Sequence, residues 1–250
     1  ALLPFGIKAM KRVNLKKDLV YFLIVAFCGN MFPAFLFTYA ETGISSGFAG
    51  MLNSMVPIFT IFIGFSFFQI KMTWIQIAGS VIGNIGVVLL LYFGKSASLQ
   101  GEWKHIIAVI LATLCYAISL NIIRYKLSHY KSIDIASIAF TLLLIPSFYI
   151  FMTERTWTVF ETNETAWDNF TAISILALVG TAFALFLFNI IIKNTSTLFA
   201  SSVTYFIPIV AVIIGFSFGE DLSFNQILSM FIILAGIFVA NSKKIKKVRE

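Results

Sequence analysis

Apolar stretches of about twenty residues alternate along this chain with short polar breaks. Eight such runs lie near 19–40, 44–68, 74–94, 103–127, 132–153, 169–192, 197–219 and 224–241. The hydrocarbon core of a bilayer is about 30 Å thick and takes ~20 residues of helix to cross. Within a run the apolar character is continuous, as in "LVYFLIVAF" and "MFIILAGIFVA". A membrane β-barrel would alternate apolar with polar positions over about ten residues. Backbone groups in lipid find no water to bond, so these runs must be helices. The pattern predicts an all-α integral membrane protein.

The runs also repeat. The word "IGFSF" occurs at Ile63–Phe67 and again at Ile214–Phe218, an offset of 151 residues. At that offset "GNMFPAFLF" (29–37) lies over "GTAFALFLF" (180–188), Phe48-Ala49 over Phe199-Ala200, and Pro57-Ile58 over Pro208-Ile209. Glycine and proline match as well as apolar residues, so shared composition alone does not explain the block. If spans alternate direction, 19–40 runs outward and its copy 169–192 runs inward. The copies are then inverted, a recurring plan of secondary transporters with a site near the midplane. We expect an inverted-repeat bundle of five plus five helices. Its halves are 1–102, with the remnant of one helix before three spans, and 103–250, with five spans and a basic tail. On this plan the chain is a fragment short of about two spans at its N-terminus, roughly 35–45 residues.

Composition agrees. The chain is 59% hydrophobic and 12% charged, about half the charge of a soluble domain. With the segment "KAMKRVNLKK" placed inside, fifteen of the 18 lysines and arginines fall on the cytoplasmic side, as the positive-inside rule requires. The net charge of +7 is thus an orientation signal and a contact for anionic lipid, with no nucleic-acid partner implied. The expected location is the cell (inner) membrane, multi-pass, with both ends of the chain cytoplasmic. Cys28 and Cys115 fall inside spans, where packing is the expected role, and two cysteines make no disulfide framework. In the acidic outer loop "TERTWTVFETNETAWDN", Trp157 and Trp167 suit the headgroup level, and Asn163 and Asn169 open N-x-Thr sequons.

Two long segments carry a family resemblance. They are "SSGFAGMLNSMVPIFTIFIGFSFFQIKMTWIQIAGSVIGNIGVVLLL" (45–91) and "STLFASSVTYFIPIVAVIIGFSFGEDLSFNQILSMFIILAGIFVA" (196–240). Each resembles the pattern that closes a half of the drug/metabolite transporter superfamily in its EamA-type branch. The resemblance implies ten helices, a central cavity and movement of small metabolites, amino acids or drugs, often as export. One position departs: the acidic residue after the proline helix is Glu220 in the second half but Gln69 in the first.

Chemistry in the spans is sparse. Pro57 and Pro208 occupy equivalent points, and a proline deprives the carbonyl four residues back of its donor. Both are expected to act as hinges in kinked, cavity-lining helices. Asn30, Asn53, Tyr116, Asn121, Asn189, Thr204 and Tyr205 are the polar groups deepest in the spans and the expected solute contacts. Their structural alternative is interhelical bonding worth about 0.6 kcal/mol each. Glu41, Asp134, Glu220 and Asp221 sit at span ends, so no fixed charge marks the midplane. The expected solute is neutral, zwitterionic or aromatic. Arg124 and Lys193 are expected to snorkel to the cytoplasmic interface. "GSVIGNIG" (79–86) gives a small-residue face for close helix packing; no second copy of this face occurs, and the other half offers Ser229, Ala235 and Gly236 instead.

Two other classes stay open. A non-transporting membrane scaffold fits the same helices. "GISSG" (43–47) fits the G-x-S-x-G of serine hydrolases, with Ser45 as nucleophile and His105 on the same outer side. No motif for a cofactor, phosphate loop or metal cluster occurs, and none is expected. The sequence specifies neither the solute nor the oligomeric state, for which monomer and homodimer are both open.

Overall fold

The computed structural model describes residues 3–44, 46–70, 72–93, 102–154, 156–158, 160, 165–207, 209–210, 213 and 223–242. Among these, the regular structure is helical. Five helices are long and apolar enough to cross a membrane: Leu15–Ala40, Trp103–Tyr125, Ser132–Thr153, Ala166–Asn194 and Phe224–Asn241, with Val56–Phe68 and Trp74–Leu90 as shorter apolar helices. Large side chains such as Phe67, Ile145 and Phe238 are more than three-quarters exposed, as a lipid-facing surface requires. The chain is a multi-pass membrane protein.

The helices are α1 (Leu3–Met10), α2 (Leu15–Ala26), α3 (Phe32–Ala40), α4 (Ser46–Asn53), α5 (Val56–Phe68), α6 (Trp74–Phe93), α7 (Trp103–Tyr125) and α8 (Ser132–Thr153). Next come α9 (Ala166–Ile175), α10 (Ala184–Asn194), α11 (Thr197–Ser202) and α12 (Phe224–Asn241). A π-helical segment, Phe27–Met31, joins α2 to α3, and a second, Leu176–Phe183, joins α9 to α10. The 151-residue offset carries the first π segment onto 178–182, inside the second. Pro33 is the second residue of α3. It cannot donate to the carbonyl of Gly29, and the widened turn just before it absorbs that defect.

The chain divides into two compact units, Ala1–Phe27 with Ile122–Asn194 and Cys28–Asn121 with Thr195–Glu250. These boundaries cut across the repeat halves 1–102 and 103–250. In the first unit α8 carries α1, α2 and α10 on its surface. Gly6 of α1 lies so close to α8 that a Cβ there would stand 1.9 Å from Thr141 Oγ1. At one end of this unit two buried carboxylates, Asp18 and Asp134, each find a partner. Arg12 ion-pairs with Asp134, and the Tyr130 hydroxyl donates to Asp18 at 2.6 Å. Burial and that hydrogen bond raise the Tyr130 hydroxyl above its ordinary pKa, so it stays a donor across the physiological range. Arg124 donates to the carbonyls of Ile192 and Lys193, which caps the C-terminus of α10 with positive charge, and Lys193 donates to the carbonyl of Tyr130.

The second unit is built on α6 and α12. Gly79 faces Ala240, Gly83 faces Gly236 and Gly86 faces Ile233, so the two helices run antiparallel. A Cβ on Gly236 would lie 2.3 Å from the backbone nitrogen of Gly83, and one on Gly79 would lie 2.2 Å from that of Ala240. Moving 150 residues along the chain carries the Gly86–Ile233 contact onto the Gly236–Gly83 contact. A repeat helix and its copy therefore meet in an inverted, self-matching way. Both helices open alike: Thr73 and Gln76 bond reciprocally at the start of α6, as Ser223 and Gln226 do at the start of α12. These pairs are 150 residues apart, not 151. With this one-residue slip Gly86 corresponds to Gly236.

The expected span 44–68 is not one kinked helix. Helix α4 ends at Asn53, Ser54 and Met55 form a turn, and α5 begins at Val56 with Pro57 as its second residue. Pro57 thus starts a helix, where its missing N–H costs nothing. Within "IGFSF", Ile63 and Gly64 are buried while Phe65 and Phe67 face outward. Helix α5 ends at Gln69, which has φ 53°. It does not cap the next helix, a task that Thr73 and Gln76 perform. Pro208, Glu220 and the second "IGFSF" lie outside the described residues, as does Ser45.

Gly236→Leu should therefore lower stability by about 1–3 kcal/mol or more through overpacking, read as a fall in melting temperature in detergent. Val81→Leu on the outward face of α6 should leave it unchanged. Gln69→Gly should raise the melting temperature, because a side chain in the left-handed region costs roughly 1–2 kcal/mol, partly offset by the entropy glycine loses on folding.

Candidate functional site

Two interruptions of helix stand at equivalent places in the two copies. The first is the Ser54–Met55 turn between α4 and α5. The second is the 3-10 turn Val203–Tyr205 that follows α11. The 151-residue offset superposes Asn53 on Thr204 and Ser54 on Tyr205. Irregular backbone at membrane depth survives only where protein or a wet cavity satisfies it, and here α6 supplies the partners. Asn84 Nδ2 donates to the Ser54 carbonyl at 2.9 Å. One helical turn earlier the Ser80 carbonyl accepts the Tyr205 hydroxyl at 2.9 Å. The Tyr205 ring lies against Gly83, where a Cβ would come within 3.0 Å of it, among Val87, Leu90, Ile209 and Ile233.

This polar knot is incompletely satisfied. Asn53 Oδ1 and Ser80 Oγ are both buried without a hydrogen-bond partner, and Ser80 as a residue is 1% exposed. An unmade buried hydrogen bond costs about 1–3 kcal/mol. The arrangement thus offers an amide acceptor and a hydroxyl, neither committed to protein, beside two broken helices. A bound molecule with a donor and an acceptor would complete it.

The other sequence-predicted residues are distributed as follows. Asn121 on α7 is fully buried and donates to the Thr60 carbonyl at 3.2 Å and the Ala117 carbonyl at 2.9 Å. It clamps α7 to α5 through the space left by Gly64, while its Oδ1 has no partner. Tyr116, also on α7, stacks on Phe37 of α3 with ring centroids 6.1 Å apart. Asn30 lies in the first π segment. Thr204 Oγ1 donates to the Ser201 carbonyl at 2.8 Å within its own turn, and Tyr205 is fully buried with its hydroxyl bonded to Ser80. Asn189, buried on α10, belongs to the other unit. Asn53, Thr204 and Tyr205 therefore gather at the two breaks. Asn121 and Tyr116 lie on α7, and Pro57 borders the first break.

Sequence reasoning gave Ser80 and Asn84 to helix packing alone. The available signal was their spacing: four residues apart, they share one face of α6 with Gly83. His105, on which the hydrolase alternative depends, is 7% exposed as the third residue of α7. Its ring lies 4.9 Å from that of Tyr39 and its Nε2 is 3.5 Å from Thr42 Oγ1. Thr42 also donates to the Tyr39 carbonyl at 2.7 Å, and the buried Nδ1 of His105 has no partner. Among the described residues no carboxylate ion-pairs with His105.

Asn84→Leu should destabilise the protein by about 1–3 kcal/mol, because it strips the Ser54 carbonyl of its donor. Tyr205→Phe should cost about 0.6–1.7 kcal/mol, the range of interhelical hydrogen bonds in membranes. Thermal unfolding in detergent measures both.

Comparison with known proteins places this geometry. The model of the EamA-like transporter family matches residues 1–92 and 103–242. An uncharacterized transporter of Buchnera aphidicola subsp. Schlechtendalia chinensis is 25% identical over 88% of this chain and 72% of its own length. A probable terminal-alkyne amino-acid exporter of Streptantibioticus cattleyicolor is 22% identical over 99% of this chain and 80% of its own. A crystal structure of a protein 15% identical in sequence superposes with a TM-score of 0.65, covering 96% of this chain and 85% of that one. At that identity the likeness is one of fold.

Proposed function

Because the chain belongs to the EamA-like transporter family, we propose that it moves a small neutral or zwitterionic solute, outward from the cytoplasm, with the polar knot on α6 as part of the solute site. The observation that carries this reading is the pair of repeat-equivalent helix breaks tied to successive turns of one helix, with Asn53 Oδ1 and Ser80 Oγ buried there without partners. Transporters built from inverted repeats place their sites at discontinuous helices. The uncommitted groups are a carbonyl and a hydroxyl, both uncharged. They suit a solute that brings its own donors, such as an ammonium or a hydroxyl, and give no counter-charge to a phosphate. The relative named as a probable amino-acid exporter supports both the zwitterionic class and the direction.

Alternating access follows from the inversion of the copies: a change that opens one half to the cytoplasm has a counterpart that opens the other half outward. The expected orientation keeps both ends of this chain cytoplasmic, and lipid is the only other partner required. The chain carries no proposed enzymatic activity.

Flux of labelled neutral amino acids from proteoliposomes tests the reading. Asn53→Ala and Ser80→Ala remove groups with no protein partner, so melting temperatures should hold while flux falls about tenfold, the loss of one hydrogen bond to solute near 1.4 kcal/mol. A solute at a hundred times its Kd should also stabilise the wild type by about 2.7 kcal/mol and do less for each variant. Flux that survives both substitutions would move the site elsewhere. No flux from the wild type, with no stabilising solute, would favour the scaffold.

A further inference from the structure

We propose that Lys17 and Lys126 clamp the phosphate of one anionic phospholipid, with the Tyr21 ring beside them and the lipid chains along the apolar face of α2 beyond. The inference is independent of the solute site and concerns the first unit alone. Tyr130, in the connection between α7 and α8, is the hub of one end of that unit. Its hydroxyl donates to Asp18 at 2.6 Å and accepts the Asn14 N–H at 3.1 Å, while its carbonyl accepts from Lys193. His129 Nε2 stands 3.6 Å from the same Asp18 carboxylate, and Arg12 pairs with Asp134. Asp18 and Asp134 are the only carboxylates in residues 3–27 and 122–140, and each is 4% exposed. The exposed lysines and arginine of those stretches, among them Lys11, Arg12, Lys16, Lys17, Lys126 and Lys131, therefore face no exposed carboxylate there.

A net charge of +7 draws anionic lipid diffusely, but the side chains narrow the attraction to one place. Lys126 Nζ lies over the Tyr21 ring, 5.8 Å from its centroid, a cation–π contact. Lys17 is one helical turn before Tyr21 on α2, so the two share a face. Helical side chains lean toward the N-terminus, which carries the Tyr21 ring toward Lys17. Two ammonium groups thus approach one ring without a carboxylate to share, because Asp18 is turned inward to Tyr130. They repel each other unless an anion stands between them. Farther along this face Ile24 is half-buried, and the bordering Val20 is 63% exposed. Cations at one end and apolar surface beyond match the two parts of a lipid, whereas a free phosphate ion would use only the first. A tyrosine at the junction suits the headgroup level. Lipid held there would tie the end of α7 to α2, beside the Tyr130 hub.

The test is titration of phosphatidylglycerol, with phosphatidylcholine as control, into the purified full chain in a neutral detergent. Melting temperature and the lipid retained in native mass spectrometry are the readouts. The wild type should keep one phosphatidylglycerol and melt higher with it than with phosphatidylcholine. Lys17→Gln and Lys126→Gln should each weaken that binding about tenfold, the loss of one charge-assisted bond, while Lys17→Arg retains it. Lys11→Gln removes an exposed charge outside the clamp and should change nothing. Equal binding of the two lipids by the wild type overturns the site. An equal loss from Lys11→Gln overturns it as well, since that marks a diffuse positive surface. Inorganic phosphate that reproduces the rise in melting temperature without lipid chains is the third contrary result. Should a variant not fold, the wild-type comparison of the two lipids and phosphate still decides.

Discussion

The backbone approach of α6 to α12 is the constraint on which the second unit depends. Lipid tails are as apolar as leucine, so membrane helices gain little by burying apolar side chains against one another, and association rests on close packing and polar bonds. Gly83 and Gly236 let the two backbones meet at a distance that a single methyl group would forbid. Once α6 is held there, Ser80 and Asn84 are held too, and with them the two helix breaks that they bond. A packing contact between glycines thus positions polar groups on neighbouring turns.

The breaks solve one problem by two means. In the first copy the carbonyl of Ser54 takes a donor from Asn84. In the second copy the residue at the matching place is Tyr205, which brings its own hydroxyl to the Ser80 carbonyl. One break receives a donor from α6 and the other gives one to it. That complementarity lets one helix serve both copies, and it leaves the side chains of Asn53 and Ser80 unspent.

Much of this was legible in the sequence. Continuous apolar runs required helices, and Ser132–Thr153 and Phe224–Asn241 fall where the runs placed them. The small-residue face at 79–86 announced a close helix contact, as found. The repeat predicted equivalent interruptions, but not their form. Pro57 reads the same in sequence whether it kinks a helix or begins one, and only the Ser54–Met55 turn distinguishes the two. The π segments were not legible, because a widened turn changes spacing without changing composition. The partner of Asn84 could not be read either, since its hydrogen bond joins residues thirty apart across a register set by glycines.

The departures from repeat symmetry are as informative as the symmetry. Two identical inverted copies would give their two arrangements equal energy. Here Pro33 stands after the first π segment while Ala184 holds its place in the second, and Asn53 faces Thr204 across the repeat. Thr204 satisfies its hydroxyl within its own turn, whereas the Asn53 side chain keeps an uncommitted acceptor. The second difference places the unsatisfied group in the first copy and the self-satisfied one in the second. On the proposed reading, a solute bound at Asn53 would favour one arrangement of the copies over its mirror, because only the first break would gain a hydrogen bond from it. Differential affinity of that kind is what a ligand needs to shift a two-state equilibrium, and on the proposed reading it would originate in the uncommitted Oδ1 of Asn53.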